Sequence, residues 1–144
     1  MPIDQNTEVG TVFTGAPKRL PLERLWAFSG GPYAAEGWPK KNLHTDPETA
    51  QRVGLATPIA SGTQFQGHLA ELLIELFGEG WLEHGWMDVR FVRGVGADET
   101  LTTELVVKER EPVDHDGVRF VFEVRCANDD GEPGLVGTAG GVLR

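Results

Sequence analysis

The chain has 144 residues, of which 40% are hydrophobic. That is enough for one core and too little for two, so residues 1–144 read as a single domain. Its 22 acidic against 13 basic side chains give a net charge of −9. Such a field repels nucleic acid and anionic lipid, which leaves a small molecule or another protein as partner.

The only cysteine, Cys126, excludes an intramolecular disulfide. A lone thiol in a strand-like run reads as a small core residue and suits a reducing compartment. The opening stretch MPIDQNTEVGTVF has no basic segment followed by an apolar one, so no secretory leader is expected. The longest apolar run, Leu69 to Phe77, is broken by Glu71 and Glu75 and too short for a bilayer. A cytoplasmic protein without a membrane or nucleic-acid partner is the expectation.

In chain order, the first third is irregular apart from a short helical patch at Leu22–Phe28, followed by Ser29-Gly30-Gly31-Pro32. A second short helix starts near Asp46, where a capping carboxylate precedes Pro47 at the first helical position. Thr45 with Glu48 forms a competing capping box. Gly54 stops that helix.

The clearest helix runs from about Ala60 to Phe77. Phe65, Leu69, Leu72 and Leu76 recur at helical spacing, and Ala70, Leu73, Ile74 and Phe77 widen the stripe. Gln64, His68, Glu71 and Glu75 form a narrow polar strip, so most of the helix circumference is expected to be covered by protein. Gly78 and Gly80 end it.

From Met87 onward the period is two. Met87, Val89 and Phe91 alternate with Asp88 and Arg90. Leu101, Thr103, Leu105 and Val107 do the same, and so do Val118, Phe120, Phe122, Val124 and Cys126. Asp116-Gly117 and Asp130-Gly131 supply hairpin turns. The last strand, Leu135–Leu143, carries Gly137, Ala139 and Gly141 on one face, where the central helix is expected to approach closely. The pattern predicts an α+β domain with an antiparallel sheet wrapped around one long helix.

Asn42-Leu43-His44-Thr45-Asp46-Pro47-Glu48, then Gly54-Leu55, then Pro58-Ile59-Ala60-Ser61-Gly62 leading into the long helix, resemble the MaoC-like (R)-specific enoyl-CoA hydratase and dehydratase family. Asp88 to Arg93, Gly96 to Leu101 and the closing Gly137-Thr138-Ala139 strand are similar to that family as well. The resemblance covers Leu22 to the C-terminus and implies the hot-dog fold, a homodimer and an acyl-thioester substrate. It implies no cofactor.

The resemblance also implies that His44 is the general acid/base; an imidazole can both take and give a proton near neutral pH. The family's aspartate position, five residues earlier, falls on Pro39, and Asn42 stands two residues before His44 instead of three. Glu36, the nearest upstream carboxylate, is the candidate partner of His44, against a solvated loop glutamate. Gly62, at the helix N-terminus, is expected to clamp the thioester carbonyl with its amide, or to be a plain first-turn glycine. Ser61 orients the carbonyl or a water, or caps the helix; with Asn42 it completes the expected substrate-binding set.

Lys40, Lys41, Arg90 and Arg93 are candidate phosphate contacts for the carrier. His68 reads as structural or interfacial, and His84 and His115 as loop residues. No Cys/His cluster has metal-ligand spacing, so no metal is expected. Two further readings stand beside the hydratase. One is a relative repurposed for isomerisation, cyclisation or thioester hydrolysis; the other is a non-catalytic subunit that binds acyl thioesters.

Overall fold

The computed structural model describes residues 2–144. Two short strands, β1 (Val12–Thr14) and β2 (Lys18–Arg19), precede helix α1 (Leu22–Ser29). Helices α2 (Pro47–Arg52), α3 (Gly62–Phe77) and α4 (Gly80–His84) follow, and then strands β3 (Trp86–Phe91), β4 (Thr100–Val113), β5 (Gly117–Asn128) and β6 (Pro133–Leu143). The strands form one antiparallel sheet in the order β1-β4-β5-β6-β3, with β2 also paired to β4. This is the hot-dog arrangement, a sheet curled around α3.

The period-two runs explain the sheet. On β5, Val118, Phe120, Phe122, Val124 and Cys126 are all buried while Arg119, Glu123 and Arg125 face out. Leu101, Thr103, Leu105 and Val107 do the same on β4. Against this face α3 sets Phe65, Leu69, Leu72, Leu73 and Phe77. Phe77 meets both Phe120 and Phe122, at ring separations of 6.3 and 5.9 Å. Burial pushes the Cys126 thiol up, and the Thr103 hydroxyl lies 3.6 Å from its sulfur, so Cys126 is a core residue.

The single chain departs from the expectations in four places. The sheet covers α3 from one side only: Thr63, Gly67, Glu71, Ile74 and Glu75 are exposed, because all the strands lie on the other side. Helix α3 begins at Gly62, not Ala60, since Ala60 is tied by its N–H to the Val95 carbonyl at 2.8 Å. Helix α4 and strands β1 and β2 were not foreseen; at two to five residues they are too short to show a period. Gly141 does admit the helix, because an added Cβ there would lie 3.3 Å from the Phe77 ring. Gly137 is crowded instead by the backbone of Asp88 and Val89 on β3.

No helix among the described residues is long and apolar enough to cross a membrane.

Candidate active site

The turn before α2 is built by side chains bonding to backbone. Asp46 caps α2, accepting from the Thr49 N–H at 3.0 Å and the Thr49 hydroxyl at 2.6 Å. Those hydrogen bonds hold its carboxyl below the usual aspartate range. The competing box is absent, because Thr45 turns inward. Its hydroxyl donates to the Lys40 carbonyl at 2.7 Å and accepts from the Asn42 N–H at 3.0 Å.

Asn42 uses both ends of its amide on the same turn. Nδ2 donates to the Ser29 carbonyl at 2.9 Å, and Oδ1 accepts from the His44 N–H at 2.8 Å. Trp26 Nε1 donates to the Thr45 carbonyl at 2.8 Å. Helix α1 is thereby tied to the backbone on either side of His44. Asn42 thus holds His44 from behind, where the sequence reading had it contacting substrate.

The His44 ring is fixed in turn. Its Nδ1 lies 2.7 Å from the Ile59 carbonyl. A carbonyl oxygen can only accept, so Nδ1 carries the proton and a neutral ring leaves Nε2 as a base.

His44 lines a cleft of about 410 Å³ together with Ile59 and Ala60, Gly62 and Phe65 at the start of α3, Phe91 at the end of β3, and residues 92–94 that follow it. Among the described residues that line it there is no carboxylate. The Phe65 and Phe91 rings meet edge-on, 5.6 Å apart, and Phe91 covers the first turn of α3. A Cβ at Gly62 would lie 2.9 Å from three Phe91 ring carbons.

His44 and Gly62 therefore share the cleft. Ser61 stands at the N-cap position of α3, but its hydroxyl pairs with the Thr63 hydroxyl at 2.9 Å and makes no cap bond. Glu36 is not brought to this cleft. It is exposed and lines a separate groove with Trp38, Lys40 and Lys41. Pro39 is half-buried and packs on Gly30, where a Cβ would lie 2.7 Å from the proline Cβ.

Arg93 is engaged as structure. Its guanidinium contacts Glu99 at 2.8 and 3.3 Å and the Gly94 carbonyl at 2.8 Å. The hydrogen bonds to Glu99 raise its pKa further, and it is not free to meet a phosphate. Burial alone would raise the Glu99 pKa. The hydrogen bonds from Arg93, the Gly96 N–H and Asn128 outweigh that and hold it below the ordinary value. Arg90, Lys40 and Lys41 are exposed.

His68 is half-buried on α3, and burial depresses its pKa. His84 ends α4 instead of lying in a loop, and His115 sits in the β4–β5 turn at φ 65°. Among the described residues no three or more His, Cys, Asp or Glu side chains group as metal ligands.

Sequence reasoning missed the Ile59 carbonyl as the anchor of His44 and Phe91 as the cover of Gly62. The first is backbone, which no residue type advertises. The second carried a signal, an apolar residue at the end of a strand facing a glycine-opened helix.

Solved structures of similar fold include a MaoC-like dehydratase from Rhodospirillum rubrum, 20% identical, covering 96% of this chain and 94% of that one at a TM-score of 0.77. An (R)-hydratase from A. caviae involved in PHA biosynthesis is 21% identical, with coverages of 97% and 98% and a TM-score of 0.70. The truncated HadBC (3R-hydroxyacyl-ACP dehydratase) complex from Mycobacterium tuberculosis is 17% identical, with coverages of 94% and 98% and a TM-score of 0.64. No curated protein matches the chain. The family model for the MaoC like domain matches residues 32–124, which span His44, its Ile59 anchor, Gly62 and Phe91. This chain belongs to the MaoC-like domain family.

Proposed function

We propose that the protein is a hydro-lyase that adds or removes water at the carbon–carbon double bond of an acyl thioester, with His44 as its acid/base. The observation that carries this reading is the 2.7 Å contact between His44 Nδ1 and the Ile59 carbonyl, which leaves Nε2 as the proton-accepting nitrogen at an apolar cleft. In the hydration direction Nε2 takes a proton from water as its oxygen attacks the β-carbon. The resulting imidazolium then returns that proton to the α-carbon. One group serves both transfers, so both occur on one face of the double bond. The N–H groups of the first turn of α3 stabilise the enolate oxygen that develops between the two transfers. The dehydratase from R. rubrum and the (R)-hydratase from A. caviae, both described by such activities, support the reaction class.

The absence of a carboxylate from the lining favours a second reading, double-bond isomerisation. There a single base removes a proton at one carbon and redelivers it at another, and no water need be positioned. Short enoyl-CoA thioesters separate the two. Loss of the conjugated enoyl absorbance with uptake of water is the expected result. Migration of the double bond without change in mass favours the isomerase, and binding without turnover favours a non-catalytic subunit.

The working unit is a homodimer. Among the described residues strand β3 is bonded only to β6 and leaves its other edge open, with Trp86, Phe91 and Val92 exposed. An open strand edge with apolar side chains is what symmetric pairing removes.

A further inference from the structure

We infer that Glu99 is a positioning residue for His44, acting across the backbone of Gly96 and Ile59; this rests on the reading of His44 as the acid/base. Glu99 does not line the cleft; it stands behind the segment that does. Segments 58–60 and 95–97 lie side by side, antiparallel, with Ile59 opposite Gly96. The bonds between them flank that pair: the Ala60 N–H donates to the Val95 carbonyl at 2.8 Å, and the Ala97 N–H to the Pro58 carbonyl at 2.9 Å. A pair flanked in this way does not bond to itself, so the backbone groups of Ile59 and Gly96 point outward, to opposite sides.

Each side has one occupant. On the Ile59 side, the N–H donates to the Leu43 carbonyl at 3.3 Å and the carbonyl accepts from His44 Nδ1 at 2.7 Å. That side is the His44 turn. On the Gly96 side both groups go to Glu99. The Gly96 N–H donates to Glu99 Oε2, and the Glu99 N–H donates to the Gly96 carbonyl at 3.2 Å.

The carboxylate is anchored in turn, so it can hold backbone in place. Arg93 donates to Oε1 at 2.8 Å and to Oε2 at 3.3 Å, and Asn128 Nδ2 donates to Oε1 at 3.0 Å. Arg93 begins the strap that runs to Glu99, and Asn128 ends β5. The strap is thereby closed on itself and tied to the sheet. A bridge of one residue pair is a weak support alone, and Glu99 supplies the second. A drift of about one ångström at Ile59 would break the bond to Nδ1 and free the tautomer.

Tautomer and turnover test this separately. Nitrogen NMR of labelled imidazoles reports which His44 nitrogen carries the proton, with or without activity, and His44→Gln assigns the signal. The wild-type ring should be the Nδ1–H form. Glu99→Gln replaces one acceptor oxygen with a donor among donors, and should release the ring to a mixture of both tautomers. Its kcat on a short enoyl-CoA should fall about ten- to a hundredfold, the scale of losing an orienting partner, with KM within about twofold. Asn128→Asp is isosteric and still accepts from the Asp130 and Glu132 N–H groups. It sets a second carboxylate against Glu99 and should shift the tautomer the same way. Val118→Ala is the control, a core truncation at the far end of β5 that should leave the tautomer unchanged. An Nδ1–H ring retained in both Glu99→Gln and Asn128→Asp overturns the assignment. So does a ring released equally by Val118→Ala, or full kcat in a variant whose ring is released. A ring released by the first two variants alone, in a chain that turns over no enoyl thioester, keeps the positioning and sinks the hydratase reading.

Discussion

The imidazole of His44 and the backbone of Ile59 are joined through a 2.7 Å hydrogen bond between segments fifteen residues apart, and that bond decides which ring nitrogen can act. Removing the ring removes the one side-chain base among the described residues that line the cleft. General acid/base help contributes about a hundred- to ten-thousand-fold. His44→Ala should therefore lower kcat/KM on a short enoyl-CoA by that much, with circular dichroism unchanged because the ring is only half-buried. A variant that keeps more than a tenth of the wild-type rate would remove His44 from the chemistry.

Glu36 and His44 line different depressions, so a carboxylate-imidazole pair is not assembled within one chain. Glu36→Gln should leave kcat within about twofold, and any effect should fall on KM for the CoA thioester. A hundredfold loss of kcat, on the scale of lost acid/base help, would mean that the assembled oligomer brings Glu36 to the cleft.

Gly62 is overlaid by Phe91, whose ring carbons come within 2.9 Å of where a side chain would begin. Phe91 is 48% exposed and can swing away, so Gly62→Val should cost stability on the order of 1 kcal/mol from helix propensity and ring displacement. The displaced ring and the new methyls would both fill the cleft. Chemical denaturation should show a small shift, and binding of an enoyl-CoA should be lost. Full activity in this variant would place the carbonyl clamp elsewhere.

Glu99 accepts from Arg93, the Gly96 N–H and Asn128, and its pKa is depressed despite the burial that opposes this. A carboxyl with a lower pKa folded than unfolded contributes stability above the unfolded value. That contribution is lost as pH falls through the folded one. Glu99→Gln should therefore destabilise the protein at neutral pH by about 1–3 kcal/mol. The gap to wild type should close on acidification below the ordinary glutamate range. Denaturant midpoints of both proteins across pH check this; a gap constant with pH would show that the carboxylate charge contributes nothing.

The fold was legible because its parts obey short-range rules. Val118 to Cys126 alternate apart from Val121, Phe65 to Phe77 follow the helical period, and Asp46-Pro47 is a helix start that few other roles require. Of the candidate cleft, the sequence marks two of the lining residues. His44 and Gly62 are marked by residue type and motif order. What fixes them is the Ile59 carbonyl, the Asn42 amide turned back onto Ser29, and Phe91 arriving from β3. Those depend on three-dimensional approach between distant segments, which local pattern does not encode. Arg93 shows the converse: residue type marks a cation near the cleft as a phosphate contact, but not the ion pair with Glu99, six residues on, that engages it.

The last prediction concerns the open edge of the sheet. Strand β3 pairs with β6 along Trp86 to Phe91 and stands at the end of the sheet, with no other strand of the described residues beside it. Trp86 is 41% exposed and packs over Gly140, where a Cβ would lie 2.6 Å from its indole nitrogen. The ring is thus held in place as a flat apolar surface beside an unpaired edge. If two copies join β3 to β3 about a two-fold axis, each Trp86 becomes buried in the joint. Sedimentation equilibrium at micromolar concentration should then give twice the 15.7 kDa chain mass. Trp86→Glu would bury a charge without a partner, at a cost of several kcal/mol per dimer. It should shift the mass toward the monomer while the core, built on β4, β5 and α3, stays folded. Because Phe91 and Val92 continue the same edge into the cleft, monomerisation should also lower activity. A wild-type chain that sediments only as a monomer, yet is fully active, would show that the edge stays open and the cleft is complete within one copy. A chain that assembles only when a different MaoC-like subunit is supplied would give β3 a heterologous partner instead.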